Sequence, residues 1–118
     1  MSQNIQINRA DIDLLNGPVI IEFGATWCGY CQAAQSIIAM ALLNYPNVKH
    51  IKVEDGKGQR LGRQYSVKLW PTLVFLNNSV EISRLVRPES TQEIADALFI
   101  VTHLDTRHQL LLMPAIQI

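Results

Sequence analysis

The run Val19-Ile20-Ile21-Glu22-Phe23 constrains this chain more than any other segment. Its large apolar residues follow one another without polar alternation. A strand half exposed to water alternates, whereas a strand covered on both faces reads as a continuous apolar run. Whatever fold forms must therefore place cover on two sides of residues 18–24. Glu22 is the anomaly in the run. A carboxylate on a buried strand resists ionisation, so its pKa is expected to rise.

The neighbouring segments can supply that cover. Asn8, with Asp11 three residues on, predicts a capped helix over 9–15 that stops at Asn16-Gly17. Ala33, Ala34, Ile37, Ile38, Ala41 and Leu42 recur at three- and four-residue steps, which predicts a helix over 32–44. Residues 48–53 read as a strand with Ile51 and Val53 on one face, and 59–65 as a short helix. Thr72-Leu73-Val74-Phe75-Leu76 and residues 80–86 form a hairpin turned by Asn77-Asn78. Ser90-Thr91-Gln92-Glu93 is a capping box that opens a last helix, with Ile94, Leu98 and Val101 inward and its end near His103. Ile5 and Ile7 alternate with polar residues and predict a first edge strand. The order is β-α-β-α-β-α-β-β-α. It implies an α/β fold with a mixed central sheet and helices on both faces, because a strand–helix–strand unit pairs in parallel while a hairpin pairs antiparallel.

At 118 residues the chain has one domain's worth of core-forming material, and 48% apolar against 17% charged residues suits a folded domain. The formal net charge is zero and no basic stripe is visible, which argues against nucleic acid. No stretch approaches the ~20 apolar residues of a membrane helix, so no membrane role is expected. The first eight residues lack the positive start and apolar stretch of a secretory signal, so the cytoplasm is the expected compartment. Residues 1–104 are expected to form the domain. The extension 105–118 contains Leu110-Leu111-Leu112-Met113 and Ala115-Ile116, too apolar for a solvated tail, and is expected to pack on the domain or on a neighbour. The expected state is a monomer, with the tail as the route to a weak dimer.

Cys28 and Cys31 are the chain's two cysteines. They close too small a loop to constrain the unfolded chain, so reactivity explains them better than stapling. In Trp27-Cys28-Gly29-Tyr30-Cys31 the first thiol follows a buried strand and meets a helix N-terminus, where free N–H groups favour a thiolate. Cys28 is expected to attack and Cys31, one turn deeper, to resolve the mixed disulfide. Gly29 is expected to allow a close backbone turn and to leave room for a substrate. Structural zinc needs four ligands, and only His50, His103 and His108 could join the pair, so no metal is expected. The three scattered histidines read as surface residues.

The segment Phe23-Gly24-Ala25-Thr26-Trp27-Cys28-Gly29-Tyr30-Cys31 resembles the active-site segment of the thioredoxin family, and Trp70-Pro71-Thr72-Leu73 resembles its cis-proline loop. With the element order, the resemblance spans residues 5–103. It implies a thioredoxin-like fold, a cis Pro71 beside Cys28, and pairing of the backbone at residue 70 with an extended substrate segment. It implies that Glu22 takes the place of a buried acid that accepts the Cys31 proton, directly or through water, and that Lys52 shares charge with Glu22. The plainer reading of Glu22 is a carboxylate satisfying a hydrogen bond at the sheet edge.

The chain also departs from the family's pattern. Gly24 stands in place of an aromatic residue and Trp70 in place of a smaller apolar one. The indole either fills the volume Gly24 leaves or lines the groove. Tyr30 replaces a proline and is expected to tune the reduction potential. Arg87, before Pro88, replaces a glycine beside the site; it either narrows the groove and favours an acidic partner, or is a solvated strand cap. Gln32 replaces a charge, which bears on exchange with the family's reductase. The tail from Asp105 extends past the family's usual end. The expected function is a protein-disulfide oxidoreductase acting through Cys28/Cys31 with no cofactor beyond that pair. Its substrate contacts are Trp27, Gly29, Tyr30, Trp70, Pro71 and Arg87, and its partners are protein disulfides and a reductase or thiol donor. The alternative is a thioredoxin-like adaptor with little redox turnover. A glutaredoxin role is disfavoured because nothing supplies a glutathione site.

Overall fold

The computed structural model describes residues 7–57 and 59–104. The expected strand at Ile5 and the packing of the 105–118 extension lie outside the described residues. Four strands form one sheet in the order β2-β1-β3-β4, where β1 is Pro18–Gly24, β2 Lys49–Glu54, β3 Thr72–Asn77 and β4 Val80–Val86. The sheet is mixed: β1 runs parallel to β2 and antiparallel to β3, and β3 runs antiparallel to β4.

The central place of β1 is what its uninterrupted apolar sequence demands. Alternate side chains enter opposite cores. Ile20 packs with Ala34, Ile38 and Ala41 of α2 (Gly29–Leu42) and with Ile94, Leu98 and Val101 of α4 (Thr91–Thr102). Val19, Ile21 and Phe23 pack on the other face with Ile12 of α1 (Arg9–Asp13) and Leu61 of α3 (Arg60–Gln64). Helices therefore cover both faces, and Phe23 and Phe75 are fully enclosed. Truncating either ring to alanine would cost about 3–5 kcal/mol.

Several boundaries differ from the sequence reading for local reasons. The first helix stops at Asp13 because the N–H of Leu14 bonds back to Asp11 O and that of Leu15 to Ile12 O, tightening the last turn. The second begins at Gly29, three residues earlier than expected, because Cys28 itself caps it. Ala33, expected inward, is exposed, since the buried stripe runs through Cys31, Ala34, Ile38 and Ala41. The hairpin turn is centred on Asn78 and Ser79, with φ of 50° and 68°. Two positive φ values match the right-handed twist of a two-residue hairpin. Asn78 Oδ1 also accepts the N–H of Gly17 at 2.8 Å, tying this turn to the entry of β1.

The register brings one end of the sheet together for chemistry. Phe23 lies beside Val53 and Thr72, and Thr72 beside Val86. The C-terminal ends of β1, β2 and β4 and the N-terminal end of β3 thus meet where α2 begins.

Candidate active site

The loop from β1 to α2 is held by its own backbone and by β2. The Cys28 N–H donates to Ala25 O at 3.1 Å, and the Thr26 N–H donates to Glu54 Oε1 at 3.2 Å. Gln32 Nε2 donates to Thr26 O at 2.8 Å. Cys28 emerges as the N-cap of α2, its Sγ accepting the N–H of Cys31 at 3.3 Å. Both thiols are free and almost enclosed, at 8% and 3% exposure, so their environment decides their chemistry.

That environment splits the pair. Burial alone would raise the Cys28 pKa. The Cys31 thiol, the N–H groups of Cys31 and Tyr30 and the charge of Arg87 outweigh burial and hold Cys28 below the ordinary thiol value. Cys31 is pushed up to about 12 by burial first, then by the Cys28 thiol, with the charges of Cys28 and Glu22 adding to the rise. The surroundings thus favour the thiolate at Cys28 and the protonated thiol at Cys31. Gly29 differs in part from expectation. Its backbone is helical, so no turn there requires glycine, and a Cβ at Gly29 would meet nothing within 4 Å. What remains of the expectation is the open surface above it.

Behind Cys31 lies a polar chain that only partly matches the sequence reading. Glu22 is fully buried on the central strand, not at a sheet edge. His50 Nε2 lies 2.8 Å from Glu22 Oε1, and Gln35 Nε2 donates to Glu22 Oε2 at 2.7 Å. Gln35 Nε2 also donates to Cys31 O at 2.9 Å, and Gln35 Oε1 accepts from Lys52 Nζ at 2.8 Å. Lys52 thus reaches Glu22 through Gln35, not directly. The expected rise in the Glu22 pKa is also corrected. Burial raises it, but the hydrogen bonds from His50 and Gln35 and the charges of His50 and Lys52 prevail, and the carboxyl sits below its ordinary value. His50 is not the surface residue it seemed in sequence. The signal was its place on β2 two residues before Lys52, on the face that Glu22 shares through its pairing with Lys52.

An open cleft of about 200 Å³ runs past this chain, lined by Ala25, Thr26, Cys31, Gln32, Gln35 and Lys52. It gives water a route toward the second thiol.

On the opposite side of Cys28 stands an aromatic wall. Trp27 and Tyr30 are 68% and 60% exposed, large values for aromatic rings. Trp70 is half-buried against Ala25, Cys28 and Cys31, and its ring meets that of Trp27 edge-on at 5.3 Å. The Trp70–Pro71 peptide bond is cis. Trp70 Nε1 donates to Asp55 Oδ2 at 2.9 Å. Asp55 is buried, and among the described residues its Oδ1 has no hydrogen-bond partner. Arg87 is anchored, not a solvated cap: its Nε donates to Trp70 O at 2.8 Å and its guanidinium lies 3.8 Å from the Tyr30 ring centre. Among the described residues, no cluster of three or more His, Cys, Asp or Glu side chains could hold a metal ion, and no helix is long and apolar enough to cross a membrane.

A family model described as Thioredoxin matches residues 5–99. The chain is similar to a thioredoxin of Chlamydia trachomatis, 35% identical over 81 residues, which are 69% of this chain and 78% of that protein. It is also similar to Thioredoxin H5 of Oryza sativa, 35% identical over 68 residues; that match covers 58% of this chain and spans half, 50%, of the rice protein. Among solved structures, the reduced form of thioredoxin 2 from Pseudomonas aeruginosa superposes with a TM-score of 0.75 at 48% identity, covering 82% of this chain and 90% of that one.

Proposed function

The chain belongs to the thioredoxin family, and from that premise we propose that it reduces or exchanges protein disulfides through Cys28 and Cys31. The observation that carries this reading is the opposed environment of the two sulfurs: Cys28 below its ordinary pKa at a helix cap, Cys31 pushed up to about 12 one turn below.

The exchange balances as follows. The Cys28 thiolate attacks one sulfur of the substrate disulfide. A Cys28–substrate S–S bond forms, the substrate S–S bond breaks, and the departing sulfur leaves as thiolate and takes a proton. Cys31 then loses its proton and attacks Cys28 Sγ, forming the Cys28–Cys31 disulfide and releasing the second substrate thiol. Two electrons and two protons pass to the substrate. A reductase or a small thiol donor returns them to the protein, and no other cofactor is needed.

Glu22 is the residue assigned as base for this second step. Its oxygens bond to His50 and Gln35, so the proton route from Cys31 runs through water in the adjoining cleft. Lys52 supports the ionised carboxylate through Gln35. Trp27, Gly29, Tyr30, Trp70 and Pro71 form the groove wall against which an extended protein segment lies, with the Trp70 backbone as its pairing edge. The protein is read as a cytoplasmic monomer. The apolar 105–118 extension is read as a packing segment for the domain or a neighbour.

The test is dithiothreitol-dependent insulin reduction by the full chain and by two serine variants. Wild type should turn over. Cys31→Ser should accumulate mixed disulfides with substrate, and Cys28→Ser should not. Failure of wild type to turn over, with Cys28 no more reactive than free cysteine, would leave the adaptor reading, which the exposed Trp27 and Tyr30 rings favour.

A further inference from the structure

Arg87 follows directly on β4, and its backbone takes φ of 52°, a region where bulky residues are uncommon. Three contacts hold it there. Its N–H donates to Pro71 O at 2.9 Å, its Nε donates to Trp70 O at 2.8 Å, and its guanidinium lies 3.8 Å from the centre of the Tyr30 ring. The side chain thus bridges the cis-proline loop to Tyr30, one of the two residues between the cysteines.

What it lacks among the described residues is a carboxylate partner. Among the described residues the ion pairs are Arg9–Asp13, His50–Glu22 and Arg84–Glu81, and none includes Arg87. Arg84, three residues earlier, shows the contrast, since Glu81 binds it through both oxygens at 2.6 and 2.8 Å. A guanidinium steadied on an aromatic face, with its terminal NH2 groups free of carboxylate, suits bidentate capture of a carboxylate. The whole chain is neutral, so bulk charge steers no partner and this local cation stands out.

Arg87 also holds the carbonyl that the groove offers to an incoming segment. A strand laid beside Pro71 must share Trp70 O with Nε or displace it. A segment with an acidic side chain compensates the displaced guanidinium, whereas a basic one meets like charge and offers nothing in return.

We propose that Arg87 is a specificity-determining residue that selects disulfide substrates carrying an aspartate or glutamate beside the attacked cysteine. This rests on the oxidoreductase reading. Arg87 itself exchanges no proton or electron; the sulfur chemistry is the one written above.

Three disulfide-linked peptides test it, identical except for Asp, Ala or Lys two residues after the cysteine. The full chain reduces each with dithiothreitol as donor, at low and high salt. Turnover of the Ala peptide tests the oxidoreductase reading, and its absence would sink that reading and this inference together. With turnover present, kcat/KM should favour Asp over Lys by about tenfold at low salt and by less at high salt. Arg87→Glu should invert the order, and Arg87→Lys should keep its direction with a smaller ratio, since a lysine holds carboxylate as a point charge. Should Arg87→Glu fail to fold, the salt dependence in wild type and the Arg87→Lys ratio decide. Equal rates on Asp and Lys peptides in wild type, or a preference that Arg87→Glu leaves unchanged, would overturn the proposal.

Discussion

His50 Nε2 lies 2.8 Å from Oε1 of the fully buried Glu22, and this contact is the foremost of those that lower the pKa of the acid behind Cys31. Burial is the largest single influence on Glu22 and opposes ionisation, yet the carboxyl sits below its ordinary pKa because His50, Gln35 and Lys52 together prevail. Removing His50 should reverse that balance. We predict that the Glu22 carboxyl titrates below an ordinary glutamate in wild type and above it in His50→Ala, as read by carboxyl carbon NMR. The same titration midpoint in both proteins would show that His50 is not the cause.

The pair also predicts how stability responds to acid. A carboxyl with a lowered folded pKa contributes stability that is present above its unfolded pKa and lost as pH falls through the lowered value. Urea unfolding of wild type should therefore weaken on acidification, and Glu22→Gln should flatten that limb. At neutral pH, His50→Ala should cost about 1–3 kcal/mol, the usual cost of leaving a buried acceptor short of a donor. A flat acid limb in wild type would contradict the assignment.

The two thiols should separate cleanly under alkylation. The Cys28 pKa is below its ordinary value, so more thiolate is present at neutral pH, and each unit of lowering raises that fraction about tenfold. Iodoacetamide at pH 7 should modify Cys28 well before free cysteine. Cys31, pushed up to about 12, should stay unmodified at pH 9. Reactivity should fall as pH drops through the lowered Cys28 pKa. Mass mapping of the alkylated sites checks the order, and equal labelling of both sulfurs would refute it.

The elements that carry the site were legible because their signals are local. An unbroken apolar run marks β1, three- and four-residue steps mark α2, and Ser90 with Glu93 marks the start of α4, where the Ser90 side chain accepts the Glu93 N–H. Cys28 and Cys31 stood out for the same reason. The roles of His50, Gln35 and Asp55 did not, because each depends on a contact across the fold. His50 meets Glu22 only once β2 pairs in parallel with β1 in the register Glu22 to Lys52. Asp55 meets Trp70 only once two loops converge at one end of the sheet. The direction of the Glu22 shift was misread for a related reason: burial can be inferred from the strand's sequence, but its hydrogen-bond donors lie on α2 and β2.

Asp55 yields the last prediction. Its Oδ2 holds the Trp70 indole, its Oδ1 is buried without a partner among the described residues, and burial pushes its pKa up despite the Trp70 bond. An acid with a raised folded pKa contributes stability present below its unfolded pKa and lost as pH rises through the folded value. At neutral pH the ionised form is therefore a liability. Asp55→Asn removes the charge and keeps an oxygen for the indole, so it should stabilise the fold at pH 7 more than at pH 4. Gly62 tests the same space from the other side, because a Cβ there would come within 2.1 Å of Asp55 Oδ1. Gly62→Ala must push the carboxylate aside and loosen Trp70, at a cost of about 1–3 kcal/mol typical of overpacking. Shrinking the acid in the double variant Asp55→Ala/Gly62→Ala should recover part of that loss. Urea unfolding followed by tryptophan fluorescence reads both effects. Additive costs in the double variant would mean that Gly62 does not make room for Asp55.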